Sequence, residues 1–163
     1  MQADFMDLFA NPCFWAAFWS WTIAQSVKML CALSRTRRLD FSYLVSTGGM
    51  PSAHSAFATG MATAIGLEAG FGSPVVIVAM AFAMITMFDA STVRRAAGQQ
   101  ARLLNEMIAE LFKEHHLSEV KLKELLGHTR LEVLMGAVIG ILTALLVVST
   151  SANADCFSAV VGP

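Results

Sequence analysis

Four stretches of this chain, residues 12–33, 51–70, 74–88 and 131–149, are apolar enough to cross a lipid bilayer. In lipid the backbone must satisfy its own hydrogen bonds, so a chain built from such stretches is confined to bundled helices. The expectation is an all-α, polytopic membrane protein: one domain over residues 1–163, about four transmembrane helices, and a cytoplasmic amphipathic helical segment at about 92–127. Composition agrees, because 56% hydrophobic residues, 14% charged residues and a mean hydropathy of +0.60 lie outside the range of an ordinary soluble domain.

If each stretch crosses once, all eleven Lys and Arg residues share one face, and the other keeps Asp4, Asp7, Glu68 and Asp155. Basic residues are retained on the cytoplasmic side during insertion. That face is therefore read as cytoplasmic, with both termini on the opposite one. The first 27 residues carry no Lys or Arg, so 12–33 is read as a retained span and not a cleaved leader. A net charge of −1 gives no nucleic-acid footprint, whereas the basic face would attract anionic lipids or phosphate. Cys13, Cys31 and Cys156 have no metal-ligand spacing, and nothing demands a disulfide between Cys13 and Cys156.

Local signals punctuate the spans. Pro12, Pro51 and Pro74 suit helix starts, and Trp15, Trp19 and Trp21 suit an interfacial belt. Val93, Leu103, Leu104 and Met107 recur at helical spacing opposite Arg102, Glu106 and Glu110, which predicts an amphipathic helix at the membrane surface or packed on the domain. Gly127 reads as a helix stop, and Thr129 with Glu132 as a capping box. Gly136 and Gly140 offer a close-packing face for another helix or another copy, which leaves a homo-oligomer open. The tail from Ser149 is polar and is expected to be loosely held.

Four clusters carry chemistry. Lys28 and Arg35, seven residues apart, share a helix face about two turns, or roughly 10 Å, apart, with Gln25 one turn before Lys28. They describe either a polar pocket inside a span or a snorkelling lysine and an ordinary anchor. Gly48-Gly49-Met50-Pro51-Ser52-Ala53-His54-Ser55 combines glycines that allow close backbone approach, a helix start whose amides favour an anion, the Ser52 hydroxyl and the His54 imidazole. Asp89, Arg94, Arg95, Gln99 and Gln100 follow the third span, where arginines suit either phosphate or a basic membrane edge. His128 and Glu132, four apart, fit a carboxylate orienting an imidazole, though Glu132 also serves the capping box. His115 and His116 read as solvated linker residues.

Single crossings bring all four clusters to one membrane face. Two histidines and several cations without a metal-ligand carboxylate cluster describe metal-free phosphoryl transfer: one histidine attacks, the other protonates the leaving oxygen, and cations hold the phosphoryl group. Neither a metal nor a cofactor is expected.

Lys28 with Arg35, and Pro51-Ser52-Ala53-His54, resemble the first two signatures, K-x6-R-P and P-S-G-H, of the type 2 phosphatidic acid phosphatase and vanadium haloperoxidase superfamily. Gly48 to Ser55, Asp89 with Val93-Arg94-Arg95-Ala96-Ala97-Gly98, and Leu125 to Thr129 with Glu132-Val133 more closely resemble a small divergent membrane branch of it. The resemblance implies an all-helical fold and a phosphohistidine intermediate. By the same resemblance His128 is the nucleophile, His54 the general acid and Glu132 the orienting carboxylate. Lys28, Arg35, Gly49, Ser52 and Arg94 or Arg95 would bind phosphate. Apart from the resemblance, Gln25, Asp89, Gln99 and Gln100 read as an additional polar site. The chain departs from the pattern at Thr36 and Ala53, and 32 residues separate Arg95 from His128 where the family has five. The expected activity is hydrolysis of a phosphomonoester or diphosphate on a lipid at the cytoplasmic leaflet, with phosphatidylglycerophosphate or phosphatidate favoured. The alternative is an inactive membrane protein that binds anionic lipid or a partner through the same pocket.

Overall fold

The computed structural model describes residues 5–37, 49–111 and 127–161, with side chains except at 35, 36, 111 and 154–161. These residues form six helices: α1 (Asp7–Ala10), α2 (Pro12–Thr36), α3 (Ala53–Ala69), α4 (Pro74–Ser91), α5 (Val93–Leu111) and α6 (Arg130–Val161). No strand occurs among the described residues, and the protein is all-α.

Helix starts follow local chemistry. Asn11 Oδ1 accepts from the Cys13 amide at 2.8 Å, and Pro12 opens α2. Arg37, in the left-handed region at φ 53°, ends that helix by donating its amide to Leu33 O at 2.8 Å. Ser52 caps α3, and Pro74 opens α4. Thr129 and Glu132 exchange bonds at the start of α6: the Thr129 amide donates to Glu132 Oε2 at 3.0 Å, and the Glu132 amide to Thr129 Oγ1 at 3.3 Å.

α3 is the central helix, packed against α2, α4 and α6, while α2 and α6 also meet. Its composition explains the position. Ala53, Ala56, Ala58, Gly60, Ala62, Ala64 and Gly66 are buried around its circumference, so neighbours approach closely from three sides. Gly140 of α6 lies against Ala56 and Thr59, and Gly136 against the Ser52 backbone, so the small-residue face of α6 is satisfied within the chain. Thr59 Oγ1 donates to Ser55 O at 2.7 Å and lies 3.2 Å from Ala137 O, leaving no polar debt at the α3–α6 seam.

Bulk lies on the outside. Ile77, Val78, Ile85, Leu134, Leu142 and Leu146 are each at least 60% exposed, while fifteen Ala and Val residues make up the buried core. Small residues inside and large aliphatic residues outside suit a lipid surround, where packing and not apolar burial joins helices. The protein is accordingly read as membrane-embedded.

Among the described residues two stretches, Pro74–Glu110 and Arg130–Asn153, are long and apolar enough to cross by length and composition, against the four expected. The other two fall short for physical reasons. α2 carries Gln25, Ser26 and Lys28 in its second half, and α3 has 17 residues, rich in Ala, Gly and Thr. The expected third span at 74–88 continues as helix through Ser91 and, after a break at Thr92, as α5. Residues 112–126 of the expected cytoplasmic segment lie outside the described residues, as do His115 and His116. Beyond 149 the expected loose tail is instead helical through Val161. Its hydroxyls bond back into the helix, Ser149 and Thr150 to Leu146 O and Ser151 to Val147 O, which lets a polar segment keep helical form. The side chain of Cys156 is not among those described.

Candidate active site

The first turn of α6 ties three elements together. The His128 amide donates to Ala90 O of α4 at 3.1 Å, and the Ser52 amide at the start of α3 donates to Glu132 O at 3.0 Å. Gly127 sits against the backbone of Arg94 and Arg95, where a Cβ would overlap main-chain atoms of Arg95. The 32 residues that separate Arg95 from His128 in sequence are thus closed in space by a glycine contact and a backbone hydrogen bond.

Within that knot His128 is 3% exposed, and its Nδ1 lies 3.1 Å from Glu132 Oε2. A carboxylate oxygen only accepts, so Nδ1 carries the hydrogen, and in the neutral ring Nε2 is the nitrogen with the lone pair. The same oxygen accepts the Thr129 amide. Helix cap and histidine orientation, which the sequence sets in competition for one carboxylate, therefore share one atom.

Around this pair lie several of the residues singled out from sequence. His54, exposed in the first turn of α3, lies within electrostatic reach of Arg94, His128, Lys28 and Asp89. Lys28 is 4% exposed on α2, within reach of Glu132. The Lys28 stem passes Gly49, whose φ of 95° favours glycine; a Cβ there would meet Lys28 Cγ only at an ordinary 3.8 Å. Arg94 Nε lies 2.7 Å from Asp89 Oδ2, a half-exposed pair at the α4–α5 junction. Gln25 is buried on α2, three residues before Lys28.

Other expectations are placed differently. Ser52 is fully buried, and its Oγ accepts the Ser55 amide at 3.4 Å and lies 2.9 Å from Ser55 Oγ, which makes it a cap at the α3–α6 seam. Arg95 contributes its backbone to the Gly127 contact, and its side chain is exposed. Gln99 and Gln100 are exposed further along α5. Arg35 is in the last turn of α2, with its side chain outside the described ones. Among the described residues no group of three or more His, Cys, Asp or Glu could hold a metal ion.

Sequence reasoning missed the positioning groups. Gly127 was legible only as a helix stop, and Ala90 contributes a carbonyl that any residue would supply.

Comparison with known proteins adds to this geometry. The sequence model of the divergent PAP2 family matches residues 9–143. A protein of Bacillus subtilis (strain 168), described as the uncharacterized membrane protein YuiD, is 38% identical over 152 residues, covering 86% of this chain and 96% of that protein. No solved structure matches.

Proposed function

The chain belongs to the divergent PAP2 family, and on that footing we propose that it is a lipid-phosphate phosphatase working at the cytoplasmic leaflet. In this reading α2, α3, α4 and α6 are four spans. The end of α2, the start of α3, the end of α4 and the start of α6 share the cytoplasmic face, and both termini lie opposite. The substrate is a phosphomonoester or diphosphate carried on a lipid, with phosphatidylglycerophosphate or phosphatidate favoured.

One observation carries the reading. His128 is held by Glu132 through Nδ1, which leaves Nε2 nucleophilic, while a second histidine and the cations Lys28 and Arg94 stand within electrostatic reach of the same cluster. In the proposed reaction Nε2 of His128 attacks phosphorus, the bond from phosphorus to the lipid oxygen breaks, and His54 gives its proton to that oxygen. His54 then takes a proton from water, whose oxygen displaces His128 and releases inorganic phosphate. Lys28, Arg94 and Arg35 would offset charge on the phosphoryl oxygens, and Glu132 would stabilise the imidazolium that forms. Because His54 is exposed and His128 is buried, substrate would meet the acid first and reach the nucleophile only when seated. Ser52 is assigned to holding the α3–α6 seam.

The test is phosphate release from phosphatidate and phosphatidylglycerophosphate by the purified protein in detergent, with EDTA present. Release should persist in EDTA, fall to background in His128→Ala and fall by ~10²–10⁴-fold in His54→Ala. Release abolished by EDTA would replace this mechanism with a metal-assisted one near Asp89. Absence of release, with lipid-phosphate binding that depends on Arg94, would make the protein a binder.

A further inference from the structure

A long apolar groove opens beside the first turn of α6. Its upper part, about 800 Å³, runs between Met84, Ile85, Met87 and Phe88 of α4 and Val133, Leu134 and Ala137 of α6. A second cavity of about 200 Å³, walled by Ala62 and Thr63 of α3, Met80 of α4 and Ile141 of α6, shares Met84 and Met87 with the first. The two adjoin along these methionines. The groove exists because α4 packs mainly on α3 and scarcely touches α6, which leaves a furrow between α4 and α6; residues of α3 line the second cavity.

Three features point to one occupant. From Met84 to Thr92 the first cavity follows the chain for eight residues, roughly 12 Å, most of the depth of one leaflet of a bilayer whose hydrocarbon core is about 30 Å thick. Met80, Met84 and Met87 give it an adaptable, polarizable wall suited to a flexible hydrocarbon. At its mouth are Ser91, Thr92 and Arg130. The two hydroxyls there bond back to Phe88 O, so Arg130 is the charged group presented to whatever leaves the groove. The mouth lies beside the knot that holds His128: Ser91 follows Ala90, whose carbonyl accepts the His128 amide at 3.1 Å, and Arg130 stands two residues after His128.

Resting on the phosphatase reading, we propose that this groove holds one hydrocarbon chain of the substrate lipid while its phosphate sits among His54, His128 and Arg94. It is then a specificity site that selects phosphate esters carried on a long chain. Arg130 marks where the chain gives way to the polar headgroup. An aromatic cleft of about 300 Å³ lined by His54, Phe18, Trp21 and Phe57 is smaller.

Two measurements test this. In the first, wild type, Met84→Trp (an exposed groove-lining position) and Val78→Trp (a lipid-facing position outside it) are assayed on dioleoyl phosphatidate and on a water-soluble phosphate ester. Met84→Trp should raise KM for the long-chain lipid by about tenfold or more and leave the soluble ester unchanged, and Val78→Trp should match wild type. An equal loss on both substrates, or no loss on the lipid, overturns the groove assignment. If wild type hydrolyses neither, the phosphatase reading itself fails.

The second measurement needs no turnover and no variant. Wild type is photolabelled with a phosphatidate bearing a diazirine at mid-chain. Label should map to Met80, Met84, Met87 or Ile141, and unlabelled phosphatidate should displace it while phosphatidylcholine of the same chains does not. Equal displacement by both lipids would mean that ordinary bilayer lipid fills the groove, and would overturn the proposal.

Discussion

Glu132 Oε2 lies 3.1 Å from His128 Nδ1 and also accepts the backbone amide of Thr129 at 3.0 Å. A single carboxylate oxygen thus closes the α6 cap and fixes the tautomer of the buried histidine. The carboxylate is itself held by the helix it starts, so the histidine inherits the rigidity of a helix terminus and not of a loop.

Removing that carboxylate should therefore have two separable effects. Glu132→Ala is expected to lower kcat by ~10²–10⁴-fold and also to destabilise the fold by about 1 kcal/mol through the lost cap. Thr129→Ala should show a similar stability loss with a much smaller fall in kcat. Thermal unfolding in detergent alongside phosphate release separates the two; matching kcat losses in both variants would show that Glu132 acts only as a cap.

Gly127→Ala tests the closure between α5 and α6. The added methyl group would meet main-chain atoms of Arg95, which cannot yield as a flexible side chain can. We expect ~1–3 kcal/mol of destabilisation and loss of turnover on every substrate, soluble or lipid. Full activity in this variant would show that the contact does not position His128.

At the α3–α6 seam, Gly140→Leu should be far more damaging than a change on the lipid face. A side chain at residue 140 would overlap Ala56 and Thr59, whereas Leu142 and Leu146 face outward. Expected outcomes are loss of folded, detergent-extractable protein for Gly140→Leu and near-normal yield for Leu146→Ala, measured by size-exclusion profile.

The proposed four-span arrangement predicts opposite faces for two helix ends. With the native cysteines replaced, Ser73→Cys, in the turn before α4, should be labelled by a membrane-impermeant maleimide from outside intact cells. Gln99→Cys, on α5, should be labelled only after the cells are opened. Labelling of both from the same side would remove the four-span arrangement.

Much of the fold was legible because its signals are local. Asn11-Pro12, Ser73-Pro74 and Thr129 with Glu132 each mark a helix start from a few adjacent residues, and the Ala and Gly content of α3 announces close packing. The spacing of Gly136 and Gly140 showed that a helix would be met, but not which one. That partner is α3, and the choice depends on three-dimensional order. The helical tail was misread because Ser149, Thr150 and Ser151 look like loop residues until their hydroxyls are seen returning to carbonyls one turn back. At the site, imidazoles and cations declare themselves by type. Ser52 does not, because a hydroxyl at a helix start suits an anion site and a cap equally; here its oxygen accepts the Ser55 amide.

The small-residue girdle of α3 reaches beyond packing to the way this chain can vary. In a water-soluble protein the surface drifts freely and the core resists loss of volume. Here the resistance should run toward gain of volume: nearly any enlargement around α3 separates helices, while Ile77, Val78, Ile85 and Leu134 can exchange among aliphatic residues at little cost. A saturation library should therefore show an inverted profile, with the deepest intolerance at the lightest residues of the sequence.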